Sequence, residues 1–403
     1  MERTSKYLLQ NIFTCYKKQL SIKPMPLKHR KAVEAITQCR TAAMGVSAYE
    51  CDKERKLTLI AHSCRHRSCS ICALRRRQQW VEAQQSRLLN CPHFHCVFTL
   101  PSENHVLWQY NQKWFTATFF DVVRSTIMDL LKDESGHAIT PGVLMAMHTW
   151  GRQLNLHPHI HCVVTGGGLK ANGEWHSTGK FLLPARQARA LYRGRFQARI
   201  KEAYASGELI LPPDHDALKF RRIQKTTYNK TWCVRIEEQY AHGRGVLKYL
   251  SRYLRGGPLN PKQIVRCDSQ HIGFRYKDHR DKRTKILSLK PYEFIRRVLL
   301  HVPESGQHTV RHYGLYAGAS RKRRNACREQ LGGLIEALQN TEQPKTLNLT
   351  CRRCGSDMRL KWAIHPKPRK GISYKQAFHA GHVQHGDEPD IGQGKKNITA
   401  MRL

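Results

Sequence analysis

Residues 157–168 read HPHIHCVVTGGG, with His157, His159 and His161 at every second position. In a β-strand alternate side chains share a face. His159 and His161 therefore stand side by side, while Ile160 between them points into a core. Two imidazoles so placed suit a divalent ion held on an open sheet face. Two ligands need a third, and the preceding stretch MAMHTWGRQLN (145–155) offers one. If 142–150 and 156–165 form a hairpin, His148 points to the same face. Gln153 and His157 are alternates, and His93 and His95 of CPHFHCVFTLP are further candidates.

A second chemical pattern is KYLSRYLRGG (248–257). Tyr249 and Tyr253 are four residues apart, so on a helix both phenols share one face, flanked by Lys248 and Arg252. A phenolic oxygen can attack a phosphodiester and conserve the bond energy in a phosphotyrosine link. With an ordinary pKa near 10 it is a weak nucleophile. A divalent ion and neighbouring cations offset the charge that develops at phosphorus and lower the barrier. Two tyrosines allow two covalent strand attachments, which suits strand transfer better than hydrolysis.

The chain has 14 cysteines. Its first residues, MERTSKYLLQ, are too polar for a secretory leader, so metal ligation is expected rather than disulfides. CRHRSCSIC (64–72) holds a CxxC knuckle, a spacing with which two thiolates share one tetrahedral zinc. The expected structural zinc ligands are Cys51, Cys64, Cys69 and Cys72, with Cys39 and His66 as alternates. Cys351 and Cys354 form a second knuckle, which Cys327 or His365 could complete.

Elements must position these groups. Strands are expected at 91–101, 142–150, 156–165 and 271–278, and in the TTYNKTWCVRI stretch of 214–240. Helices are expected at 27–40, 73–90, 105–133, 185–207, 242–260 and 291–302. Such alternation around an antiparallel sheet is α+β. The boundaries read as 1–90, helical and zinc-binding; 91–318, catalytic; and 319–403, basic, with a tail (379–403) of disordered composition. Lys plus Arg is 69 against 30 acidic residues, a net +39 spread along the whole chain. That excess points to a polyanion, nucleic acid first. The basic helices 73–90 and 186–202 would hold a phosphate backbone, with Trp80, Trp150 or Trp232 stacking bases. No run of 18 apolar residues occurs, so no membrane partner is expected and a cytoplasmic location is.

Taken together, CRTAAMG, CRHRSCSIC, HFHCVFTLP, HTWGRQLNLHPHIHCVVTGGG, YLSRYLRGGPL, GFRYKD and FIRRVLLHV with RHYGLYA resemble the two-tyrosine HUH transposases of the insertion sequence 91 family. The family often carries a second CxxC near position 51, where this chain reads Cys51-Asp-Lys-Glu54. The resemblance covers about residues 39–316. It implies an HUH endonuclease-type antiparallel sheet flanked by helices, and rolling-circle transposition through phosphotyrosine intermediates on single-stranded DNA. Under it, His159 and His161, with His148, hold Mg²⁺ or Mn²⁺; Tyr249 and Tyr253 are the nucleophiles, with Lys248 and Arg252 beside them. No GxxxxGK[ST] motif is present, so strand opening calls for a host helicase. The rival readings are an HUH replication initiator or relaxase, and a non-catalytic zinc DNA-binding protein.

Overall fold

The computed structural model describes residues 2–22, 24–85, 87–241, 258–333 and 349–365. Lys248, Tyr249, Arg252, Tyr253 and the tail 379–403 lie outside the described residues. In chain order the strands are β1 (Val46–Cys51), β2 (Leu57–Ala61), β3 (His93–Thr99), β4 (Thr140–Trp150), β5 (Leu156–Leu169), β6 (Trp175–Ser177), β7 (Val234–Tyr240), β8 (Ile264–Cys267), β9 (Ile272–Lys277), β10 (Thr284–Leu289), β11 (Val310–Gly314) and β12 (Met358–Ile364). The fold is α+β, with antiparallel sheets flanked by helices. The chain divides into two compact units: Met1–Cys39 with Cys64–Pro344, and Arg40–Ser63 with Lys345–Leu403.

The larger unit is organised by an antiparallel sheet of order β11-β4-β5-β3-β7, with β6 paired to β5. Register sorts its residues by parity. Cys96, Cys162 and Met145 are cross-strand partners, as are Phe98, Ile160 and Met147, and all six lie in one apolar core. The helices that cover this face carry matching stripes. Phe115, Phe119, Val123 and Ile127 are buried on Gln112–Leu130, and Ala188, Tyr192, Phe196 and Ile200 on Ala185–Ala205. Both runs recur every fourth residue, the spacing of one helix face. Gly168 permits close strand approach, because a Cβ there would lie 2.7 Å from the Thr140 backbone.

The opposite face of the sheet carries a second, smaller core. Leu144, Ala146 and Val163 pack there against Leu88, Leu315 and Tyr316. Past that cluster the same parity delivers His161, His159 and His148. A third core joins the N-terminal helices to the β10-β9-β8 sheet and helix Pro291–Leu300, through Phe13, Ile36, Phe274 and Phe294.

One expected strand is half helix. In the TTYNKTWCVRI stretch, residues up to Asn229 close helix Ala217–Asn229, and β7 begins only at Val234. Phe220, Gln224 and Thr227 form its buried stripe, and the Asp216 carboxylate caps it by accepting the Lys219 N–H at 2.8 Å. A cap and a helical stripe outweigh the β-preference of Thr and Tyr.

The smaller unit is a three-stranded antiparallel sheet of order β12-β1-β2. It has almost no apolar core. Among its described residues the buried ones are Gly45, Ala48, Cys51 and Cys351, while Leu57, Leu59, Leu360 and Ile364 are exposed.

Candidate active site

β4 and β5 join through a tight loop in which the Gly151 N–H donates to the Asn155 carbonyl at 2.9 Å. The hairpin sets His148 directly opposite His159 and Ala146 opposite His161. The imidazole centroids are 5.3 Å apart for His148 and His159, 4.5 Å for His148 and His161, and 4.8 Å for His159 and His161. One ligand nitrogen from each ring lies within 4.8 Å of the other two. An ion at about 2.1 Å from each nitrogen would close that span with small ring rotations.

Burial keeps the rings neutral, with their lone pairs available. It pulls His159 down to about 4, and holds His148 and His161 well below the usual imidazole value. Two rings are also oriented from behind. His159 Nδ1 donates to the His157 carbonyl at 2.7 Å, which turns Nε2 outward. His161 Nδ1 meets His95 Nε2 at 2.9 Å, and His95 Nδ1 meets the Glu237 carboxylate at 2.6 Å. In the tautomer that leaves His161 Nε2 for a metal, each ring donates one N–H outward and the chain of bonds ends on Glu237. Metal-ligating histidines are commonly held this way.

Glu237 had no sequence signal beyond its place on an alternating strand. His95 thus serves behind the ligand group, and His93 is elsewhere, buried between the Cys91 carbonyl and the Tyr316 hydroxyl. His157 stays outside the group and Gln153 stands in the connecting loop.

A cavity of about 220 Å³ adjoins β4, lined by Trp108, Met147, Trp150, Pro258, His301 and Val310 among others. Trp150 is half-buried with its ring 4.8 Å from His148. Trp80 and Trp232, the other expected base-stacking residues, are buried in cores, and the Trp232 indole donates to the Thr227 carbonyl. They have no free face for a base. A second cavity, of about 470 Å³, is walled by Arg87, Arg321, Arg324 and Arg328. Burial, then the charges of Arg328 and Arg87, lower the pKa of Arg324, as expected where guanidinium groups crowd together.

The thiols fall into two groups. Cys39, Cys64, Cys69 and Cys72 place their sulfurs within 4.8 Å of one another. Cys39 and Cys64 each lie 3.6 Å from Cys72, close to the edge of about 3.8 Å of a tetrahedron with 2.3 Å Zn–S bonds. Four converging thiols of this size fit zinc. Cys39 arrives at the end of helix Leu27–Gln38, and Cys72 in the first turn of helix Ser70–Gln85. The expected ligand set thus changes by one member: Cys39 stands where Cys51 was placed, and Cys51 lies instead with Cys351 and Cys354. The hairpin of β1 and β2 carries Cys51 away into the smaller unit. His66 is not in the group; its Nδ1 accepts the Ser68 N–H. Cys327 is buried in the Leu315 and Tyr316 core of the larger unit and does not belong to the Cys51 group.

Residues 8–100 match a family profile described as "Transposase zinc-binding domain", and residues 142–324 match one described as "Putative transposase". "Putative transposase y4qJ" of Sinorhizobium fredii is 33% identical over 324 residues, which are 78% of this chain and 81% of that protein. "Transposase for insertion sequence element IS801" of Pseudomonas savastanoi pv. phaseolicola is 28% identical over 321 residues, 76% of this chain and 74% of that protein. The fold, the four-thiol cluster and these likenesses define a DNA transposase with structural zinc near its N-terminus. The chain belongs to the insertion sequence 91 family of transposases. Among the described residues no helix is long and apolar enough to cross a membrane.

Proposed function

We propose that this transposase nicks and rejoins single-stranded DNA through phosphotyrosine intermediates, in a rolling-circle-type transposition of an insertion sequence. The observation that carries the reading is the convergence of His148, His159 and His161 on one face of the sheet. Mg²⁺ or Mn²⁺ held there would act as a Lewis acid on a scissile phosphate oxygen. Imidazole donors favour Mn²⁺ of the two.

Tyr249 or Tyr253 supplies the attacking oxygen. Its bond to phosphorus forms as the P–O3′ bond breaks. The 5′ phosphate stays on the tyrosine, the phenolic proton is lost to solvent, and the departing 3′ oxygen takes one up. Lys248 and Arg252 offset the charge on the phosphate. Attack by a 3′ hydroxyl on the phosphotyrosine reverses these steps and joins strands, and the second tyrosine allows two strands to be held at once.

Pro258, which lines the same cavity as Trp150, lies five positions after Tyr253 in the chain. The four-arginine cavity suits phosphates of the same strand, since guanidinium groups bind them bidentately. Duplex opening is left to a host helicase or to a substrate already single-stranded.

The test is incubation of labelled single-stranded element-end DNA with the full chain and Mn²⁺. A protein–DNA adduct resistant to boiling detergent is expected, and its loss in Tyr249→Phe/Tyr253→Phe. Absence of any adduct from the wild-type chain would overturn the reading.

A further inference from the structure

The smaller unit carries a metal centre of its own. Its three strands bury almost nothing apolar, yet two stretches far apart in sequence are drawn together at Cys51, Cys351 and Cys354. The Cys51 and Cys354 sulfurs are 3.3 Å apart. A sheet this small, with Leu57, Leu59 and Leu360 exposed, lacks the core that ordinarily stabilises one. A bound metal supplies that stabilisation in many small domains.

The two turns that present the thiols are built alike. In the first, the Cys51 N–H donates to the Lys56 carbonyl and the Arg55 N–H donates to the Cys51 carbonyl at 2.8 Å. In the second, the Cys351 N–H donates to the Ser356 carbonyl and the Gly355 N–H donates to the Cys351 carbonyl at 2.9 Å. Both then place their fifth residue in the left-handed region, Arg55 at φ 50° and Gly355 at φ 71°. A non-glycine residue accepts that conformation only where the turn demands it. The turns therefore correspond position by position: Cys51 to Cys351, and Glu54 to Cys354.

The first turn thus offers a carboxylate where the second offers a thiolate. The Glu54 N–H faces the Cys51 sulfur at 3.5 Å, and its carboxylate reaches across to Arg353 in the opposite turn, also at 3.5 Å. That carboxylate is not among the three converging donors, and it would join them by turning from the guanidinium toward the sulfurs. Carboxylate oxygen is an accepted zinc donor at about 2.0–2.2 Å. Three thiolates and a carboxylate around Zn²⁺ leave a net charge of minus two, and the nearby Arg353 guanidinium offsets part of it.

We propose that Cys51, Cys351, Cys354 and Glu54 bind a second zinc ion, a Cys₃Glu site that ties residues 40–63 to the segment after 345. The proposal does not depend on the phosphotyrosine reading. Glu54 makes it more labile than the four-thiol centre, because one hard oxygen donor replaces a soft thiolate.

The experiment counts zinc in the dialysed full-length chain, in a His159→Ala/His161→Ala background so that the imidazoles add none. Two equivalents are expected, falling to one in Cys351→Ser/Cys354→Ser. Glu54→Gln should lose the second equivalent to a competing chelator on the order of tenfold more readily. Glu54→Cys should hold it more tightly and, with Co²⁺ in place of zinc, add thiolate-to-metal absorption. That gain does not depend on a variant that fails to fold. One equivalent in the parent chain, or two still present in the double serine variant, would overturn the site. Unchanged chelator sensitivity in Glu54→Gln, together with no added Co²⁺ absorption in Glu54→Cys, would remove Glu54 from it.

Discussion

The imidazole triad and the four-thiol cluster of the larger unit are both suited to metal, but they stand differently in the fold. His148, His159 and His161 project from two strands whose other faces are locked into a core of Phe, Met and Ile side chains. That core fixes the shape of the hairpin. Cys39, Cys64, Cys69 and Cys72 come instead from a helix end, a loop and a first helical turn. The loop 62–69 has no regular strand or helix to hold it. The imidazoles thus stand on strands fixed by their own core, whereas the thiols, though they border the N-terminal core, are brought together by a helix end and an irregular loop that a shared zinc would tie.

Four perturbations sharpen or break that contrast. The largest effect is expected from Cys69→Ser/Cys72→Ser, or from a strong zinc chelator. Tm should drop by on the order of 10 °C or more, read by circular dichroism; an unchanged melt would make the thiols bystanders. Next, His159→Ala/His161→Ala should lower adduct formation by about 10²–10³-fold or more while moving Tm by only a few degrees. A collapse in Tm would instead give the triad a structural role.

Smaller again is His95→Ala or Glu237→Gln. Either should raise the Mn²⁺ needed for half-maximal cleavage by about 10–100-fold, with the maximal rate recovered at saturation. A fall in that maximal rate would show that the pair does more than hold His161. The smallest effect is expected from Arg87→Ala/Arg321→Ala. The slope of log affinity against log salt for single-stranded DNA should fall by about 1–2, with adduct chemistry at saturating DNA intact. An unchanged slope would remove the arginine cavity from the DNA path.

Much of the imidazole site was legible because strand parity is local. HPHIH fixes which rings share a face, and a loop of a few residues leaves His148 little choice but the neighbouring strand. The thiol clusters were only half legible. CRHRSCSIC announced its own three ligands, but the choice between Cys39 and Cys51 turns on where the β1–β2 hairpin goes, and spacing carries no trace of that. Cys51 meets Cys351 from three hundred positions away. The compact units use the chain discontinuously, a feature that local patterning does not reveal. Glu237 was invisible because its role comes from pairing of β7 with β3. The Trp80 and Trp232 assignments failed because an aromatic side chain in a basic segment is as readily a core residue as a stacking platform.

The central claim is that a phenol from the 249–253 segment reaches a phosphate bound at the imidazole triad. The most direct test is protease digestion of the covalent adduct formed by the full chain on element-end DNA, with mass spectrometry of the nucleotide-linked peptide. The account predicts the 5′ phosphate on Tyr249 or Tyr253. Linkage to any other residue would contradict it.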